Sequence, residues 1–322
     1  MILPYDDFDV SDVTTYPLTS RASKVDVSQF GAAYDPGSGM SGWFASLPGI
    51  LAGADLRAVV EALSAARERE RPIIWGLGGH VIKTGLAPVL IDLMARGFVS
   101  AVAMNGAAMI HDFEIAIGGR TSEDVESALG PGTFGMAEET ATGLNGAIND
   151  GVGRGLGIGQ AVSAYLAASD APFKALSVVA EAGARGIPVT VHVAVGTDII
   201  HMHPAASGAA IGEGSLRDFR YLTSSVAQLA GGAYVNCGSA VVLPEVFLKA
   251  VALARNRGMS LEGLTTVNLD FIRQYRPQTN VVHRPTVGIG KGYNLVGHHE
   301  LLIPLIAAGL IEGSGPPEST EP

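Results

Sequence analysis

From about Asp55 to residue 312, short apolar runs alternate with longer stretches that space their apolar residues every three or four positions. "DLRAVVEALSAARERER" predicts a helix capped by Asp55 and stopped by Pro72 before the short strand "IIWG". "GLAPVLIDLMARG" predicts a helix, "FVSAVAMNG" a buried strand and "AAMIHDFEIAIGG" another helix. The alternation resumes with helix "KALSVVAEAGARG" and strand "IPVTVHVAV", then "SLRDFRYLTSSVAQLAG" and "GAYVNCGSAVV", then "PEVFLKAVALARNRG" and "LTTVNLDF". "HHELLIPLIAAGL" is the expected last helix. These strands, joined through helices and short glycine turns, predict a Rossmann-like three-layer α/β fold around a mostly parallel sheet.

Three stretches fall outside this rhythm. Residues 1–53 are rich in Asp, Tyr, Pro and Gly without sustained periodicity and read as an N-terminal arm or cover. Residues 121–168 carry helical spacing but no strand and read as a helical insertion within a 54–312 domain. The last stretch, 313–322, has the composition of a flexible tail.

Composition narrows the partners. With 21 Lys plus Arg against 31 Asp plus Glu, the formal charge of −10 argues against a general binder of nucleic acid or anionic membrane. A single cysteine, Cys237, leaves no internal disulfide, and no basic start followed by an apolar stretch marks a signal peptide, so a cytoplasmic location is expected. Mean hydropathy is positive at +0.30, yet no run of 18 purely apolar residues reads as a membrane span. Excess burial in a homo-oligomer is the expected outlet. The 42 glycines follow no collagen period and point instead to tight turns and close backbone contacts.

Ligands of open α/β sheets bind beyond the carboxyl ends of the strands. At those positions stand Gly78, Gly79, His80 and Thr84; Asn105, Gly106, His111 and Asp112; Thr197, Asp198, His201 and His203; Asn236, Gly238 and Ser239; and Asn268 and Asp270. Five polar or glycyl turns converging on one edge predict a pocket, against the plainer reading that polar turns decorate any sheet edge. The dinucleotide pattern G-x-G-x-x-G occurs at Gly37–Gly42 and Gly130–Gly135, and neither copy follows a strand. Histidines at 192, 201 and 203, with Asp198, and at 298 and 299 allow a metal reading, weighed against hydrogen bonding or proton transfer. Lysine occurs only at 24, 83, 174, 249 and 291. Lys291, inside "GIGKGYN", is the candidate for imine chemistry, its plain alternative being an exposed loop lysine.

Over roughly residues 70–310 the order of these segments resembles the deoxyhypusine synthase family: "HVIKTGLAPVLIDLMARGFVSAVAMNGAAMIHDFEIAIGG", "GIPVTVHVAVGTDI", "YVNCGSAVV" with "ALARNRG", and "IPLIAAGL". The resemblance implies a Rossmann-like fold that binds NAD and transfers an aminobutyl group from spermidine to a lysine. It carries Thr84 and Gly85 to a cofactor-contacting helix start, Asn105 and Gly106 to the cofactor turn, and Asp112 to one member of an acidic pair whose other member is replaced by His111. Asp198 matches a threonine-aspartate turn, Asn268 an asparagine after the next-to-last strand, and Arg284 with Pro285 the pair before the catalytic lysine. Lys291 matches that lysine only approximately: the spacing is shorter and the family's tryptophan is absent.

The implied reaction is NAD-dependent aminoalkyl transfer from a polyamine-like donor to an amine acceptor through an enzyme imine. Lys291, Asp198 and His201 would be catalytic. Gly79, His80, Thr84, Gly85, Asn105, Gly106, Asp112, Thr197, Asn236, Gly238 and Asn268 would surround NAD, with no metal and, as in the family, an assembly up to a tetramer. Two alternatives stand beside it: a metal-assisted lyase or hydrolase using His201 and His203, and a non-catalytic scaffold that binds NAD or an amine.

Overall fold

The computed structural model describes residues 3 and 5–314. Six strands form one sheet: β1 (Ile73–Leu77), β2 (Ala101–Asn105), β3 (Val189–His192), β4 (Ala233–Cys237), β5 (Thr265–Asp270) and β6 (Lys291–Val296). All neighbours pair in parallel, in the order β3-β2-β1-β4-β5-β6. This is the doubly wound order whose direction of winding reverses between β1 and β4. The expected α/β architecture is therefore the observed one.

The helices, in chain order, are α1 (Gly39–Ser46), α2 (Leu51–Glu68), α3 (Gly79–Lys83), α4 (Ala87–Ala95), α5 (Gly106–Gly118), α6 (Val125–Leu129), α7 (Glu138–Gly153), α8 (Ile158–Ala168), α9 (Val178–Ala184), α10 (Gly208–Val226), α11 (Val242–Asn256), α12 (Tyr275–Pro277) and α13 (His299–Ser314). A π-helical segment, Gln278–His283, follows α12. The period-two alternation of the strands sorts the core. Ile73, Trp75, Leu77, Val102, Met104, Val235 and Val267 pack with helices that include α2, α4, α5 and α13. Ile74, Ala101, Ala103 and Tyr234 face α10 and α11, where Tyr234 stacks on Phe247 at 3.8 Å. Trp75, buried among apolar groups, still has its Nε1–H bonded to the Phe98 carbonyl at 3.0 Å.

Two boundaries differ from the sequence expectation. Helix α2 begins at Leu51 rather than at an Asp55 cap. Its first turn packs on the Pro48 turn, which Arg57 pins through the Phe44, Leu47 and Pro48 carbonyls at 2.7–3.1 Å. "GIGKGYN", expected as a ligand-facing loop, runs into β6. A Cβ on Gly290 would stand 2.0 Å from the Leu264 carbonyl oxygen and one on Gly292 1.9 Å from that of Val282, so these glycines serve packing of the strand.

Residues 5–28 are exposed throughout, and the chain is first stapled to the body where Gly49 N–H bonds Gln29 O at 2.8 Å and Ala32 N–H bonds Ser46 O at 2.9 Å. Between α5 and β3 the chain forms α6, α7, α8 and α9 without a strand. Asp218 of α10 ties this segment to the sheet, accepting the amides of Gly159 at the start of α8 (2.9 Å) and Val191 in β3 (2.8 Å).

Burial pushes the Asp218 carboxyl up to about 7 despite those donors. Its native value exceeds the unfolded value of about 3.9, so its proton-linked stabilisation is complete below that value and is lost as pH rises through the native one. We expect the unfolding free energy of wild type to gain on that of Asp218→Asn as pH falls from about 8 to about 6, read by urea denaturation. A difference that does not change with pH contradicts this assignment.

Candidate active site

The loops that leave the sheet's carboxyl edge meet at the β1/β4 reversal. Gly78 N–H bonds the Cys237 carbonyl at 2.8 Å, and a Cβ on Gly78 would lie 2.3 Å from the Gly238 oxygen. Gly238, with φ of +67°, leaves no room either: its Cβ would meet the His299 ring at 2.8 Å. Gly79 is pressed by Ala107 and His111 at 3.0 and 3.1 Å. These glycines mark close protein–protein approaches that bring the end of β1 and the end of β4 together.

The polar groups lie around that contact. Asn105 ends β2 and caps α5, its Oδ1 accepting the Ala108 amide at 2.9 Å. Gly106 then opens α5, and the Asp198 carboxylate fills the place a side chain would take, 1.9 Å from a Cβ there. An anion at this helix start is favoured by the orphan amides and the helix dipole. His201 Nδ1 accepts the amides of Gly196 (3.2 Å) and Asp198 (3.3 Å), which leaves the proton on Nε2, 3.9 Å from Asp198 Oδ2. Both side chains are buried, at 5% and 6% exposure, and neither facing atom has a hydrogen-bond partner. Burial raises the Asp198 carboxyl, and the neighbouring His201 opposes that rise.

Across β4, β5 and β6, Asn236, Asn268 and Asn294 stand in register and form an amide ladder with bonds of 2.8 Å. Asn236 also holds the Ser239 carbonyl at 3.0 Å, which fixes the β4–α11 turn, while its Oδ1 is buried without a partner.

Other sequence-derived candidates sit elsewhere. Thr84 and Gly85 lie in the turn between α3 and α4, just ahead of the Leu86 cap of α4; Thr84 bonds the His80 carbonyl at 2.9 Å. Thr197 is exposed and bonds Ala194 O at 2.7 Å. Asp112 is wholly buried and caps α9, accepting the Ser177 hydroxyl and the amides of Val178 (2.7 Å) and Val179 (3.2 Å); burial lifts its carboxyl to about 6. Lys291 opens β6, so the carboxyl end of that strand is about 17 Å away at roughly 3.3 Å per residue. Cys237 is buried in the apolar core, which pushes its thiol up and away from nucleophilic use. The two G-x-G-x-x-G stretches fall at α1 and between α6 and α7, neither after a strand. For the metal reading, His201 and His203 both use Nδ1 on backbone amides, and among the described residues no group of three His, Cys, Asp or Glu side chains could hold an ion.

One group outside the sequence-derived set stands out. Glu114 accepts hydroxyls from Thr121 and Thr140, and Thr121 also pairs with His111 Nδ1 at 2.7 Å. Glu114, Thr121 and Thr140 border a cavity of about 690 Å³ that also takes in Arg120, Glu123, Glu139 and Ile199. Ile199 belongs to the Asp198–His201 turn, so the cavity adjoins the buried pair. The His111–Glu114 spacing of three on α5 is the sequence signal by which it could have been found.

No family model matches the chain, and no curated protein matches it. Among solved structures, a Methanococcus maripaludis S2 protein provisionally assigned to LOR/SDH aligns at 14% identity over 81% of this chain and 70% of that one, with a TM-score of 0.52. Unliganded AgrE aligns at 15% over 81% of this chain, with a TM-score of 0.52. A protein from Entamoeba histolytica, provisionally named a deoxyhypusine synthase, aligns at 13% over 88% of this chain and 97% of that one, with a TM-score of 0.51. The chain shares their fold. It spans about a third of the length of AgrE (33%), and the likeness reaches beyond the single family that the sequence order resembles. Among the described residues no helix is long and apolar enough to cross a membrane.

The steric account of the glycines is testable. Gly78→Ala and Gly106→Ala should each lower unfolding free energy by about 1–3 kcal/mol through forced overpacking. Gly118→Ala, where a Cβ meets nothing within 4 Å on α5, should be neutral or raise it by about 0.5–1 kcal/mol. Equal effects at all three in chemical denaturation would remove the close approaches from the account.

Proposed function

We propose that the crevice at the β1/β4 reversal binds NAD and that the chain is an enzyme oxidising an amine-bearing small substrate there, with aminoalkyl transfer as the outcome. The observation that carries this reading is the set of buried polar atoms left without partners at that edge: Asp198 Oδ2, His201 Nε2, Asn236 Oδ1 and His299 Nδ1. Such atoms are destabilising unless something satisfies them, and their placement beyond the strand ends suits a polar ligand. The fit to a dinucleotide rests on the strand order, which puts these atoms at the carboxyl edge where the winding reverses.

In this reading Gly79, His80, Asn105, Gly106, Thr197, Asn236, Gly238 and Asn268 surround the cofactor. NAD, when bound, supplies a hydride acceptor that can return the hydride. Asp198 orients a donor group of cofactor or substrate, and His201 Nε2–H offers the matching donor beside it. The cavity beside Ile199 supports the substrate class: Glu114, Glu123 and Glu139 against Arg120 favour a cationic nitrogen, and Ile117 and Ile199 suit an aliphatic chain. Thr84, Gly85 and Asp112 act indirectly, through the turn after α3 and the anchoring of α5 on α9. Imine formation on Lys291 requires a ligand at the opposite edge of the sheet, so transfer within the crevice goes straight to the amine acceptor.

The test is calorimetric titration of the full chain with NAD. Asp198→Asn is expected to weaken binding about 10-fold, the loss of one charge-assisted hydrogen bond. Lys291→Ala should bind NAD as wild type does and should form the same amine-derived product. No heat with NAD, or loss of turnover in Lys291→Ala, would overturn the respective part of the proposal.

A further inference from the structure

The helical insertion sends two hydroxyls back onto α5. Gly119, with φ of +66°, ends that helix in the left-handed region, its N–H bonded to the Ile115 carbonyl at 2.9 Å. The reversal returns Thr121 to the face of α5 that carries His111 and Glu114, one turn apart. The Thr121 hydroxyl donates to Glu114 Oε2, and that of Thr140 on α7 donates to Oε1 at 3.1 Å. A hydroxyl has one proton to give, so the 2.7 Å contact with His111 is one in which Nδ1–H donates and Thr121 accepts. The neutral imidazole then keeps its lone pair on Nε2, which bonds nothing among the described residues.

The His111 ring stands between two regions. Nδ1 is held by Thr121, which lines the cavity. The opposite edge of the ring lies on the start of α3, where a Cβ on Gly79 would meet Cδ2, the carbon bonded to Nε2, at 3.1 Å. The side chain is 20% exposed, and its Nε2 is open, unlike His201 Nε2 and His299 Nδ1, which are buried.

We infer that Glu114, Thr121 and His111 form a relay in which Glu114 and Thr121 position the imidazole and its Nε2 takes a proton from an amine lying between the cavity and the start of α3. This deepens the reading of an amine oxidised against NAD and rests on it. A protonated amine has no lone pair with which to expel hydride. Once its N–H proton has moved to His111 Nε2, the freed electron pair forms the C=N bond as the α-carbon's hydride, with two electrons, passes to NAD and leaves an iminium. When hydride returns to an iminium carbon, the restored lone pair takes the proton back from the imidazolium. That imidazolium is met from behind: Nδ1–H stays on Thr121, and Glu114 Oε2 lies 4.0 Å from the same nitrogen. Asp198 Oδ2 is also an unpartnered acceptor, but a carboxylate is the weaker base, and an imidazole titrates nearer to neutral pH.

Glu114 on its own helix and Lys83 on α3 are the charged groups that act on His111. Burial holds the imidazole below its ordinary range, with Glu114 opposing and Lys83 acting in the same sense as burial. It is therefore neutral, and able to accept a proton, at neutral pH.

Long-range proton–nitrogen NMR of the full chain with ¹⁵N-labelled histidine reads the tautomer without cofactor, assigned with His111→Gln. Free imidazole side chains prefer the proton on Nε2. Wild-type His111 should show the reverse, Nδ1–H, and titrate below about 6.5. Thr121→Val should turn it into a tautomer mixture, and Thr121→Ser should restore Nδ1–H. An Nε2–H tautomer or a mixture in wild type overturns the relay and needs no variant to fold; an unchanged tautomer in Thr121→Val overturns it equally. Saturating NAD should then shift the His111 Nε2 resonance. Calorimetric heat with NAD but no such shift overturns the placement of Nε2 beside the cofactor, whereas no heat overturns the cofactor reading and leaves the tautomer to decide the relay.

Discussion

The contact between the ends of β1 and β4 is the constraint on which the rest depends. At the place where the sheet reverses its winding, two backbones touch with no side chain between them: Gly78 lies on the Gly238 carbonyl, and Gly238 lies on His299. Any Cβ there must push the strands' exits apart. Because those exits are joined, the loops after β2 and β3 and the start of α13 are drawn into one region. The convergence of these loops is thus a consequence of strand order and of two missing side chains.

That convergence leaves polar groups buried beyond the reach of water. Some are settled by the fold itself. Asp112 spends both oxygens on donors at the start of α9, and the amide ladder from Asn236 to Asn294 keeps β4, β5 and β6 in register. Others, at Asp198, His201, Asn236 and His299, are not settled. Atoms that hold the scaffold are thus distinct from atoms left without a partner, at Asn236 within one side chain. Both kinds look alike as residues and are told apart only by what their atoms touch.

The sheet was legible in the sequence because its strands are buried on both faces and read as short, largely apolar runs such as "VAM" and "IPVTV". The polar turns that follow them could be placed at one edge for the same reason. Lys291 was harder. Flanking glycines suggested a ligand loop, yet Gly290 and Gly292 are small because the Leu264 and Val282 carbonyls lie against them, and the lysine opens a strand that points away. Asp112 resembled a ligand-facing acid, while Ser177, sixty-five positions on, supplies the partner no local pattern reveals. His299 sits beyond the last strand, and nothing in its neighbourhood says that its ring returns between β4 and β5.

The central claim is that the cofactor occupies the β1/β4 reversal. Amide hydrogen exchange of the full chain, with and without saturating NAD, tests it most directly. The account predicts added protection at 77–80, 105–108, 196–201 and 236–239, with residues 264–266 and 290–292 at the opposite edge unchanged. Protection confined to that opposite edge around Lys291, or none at all, would contradict it.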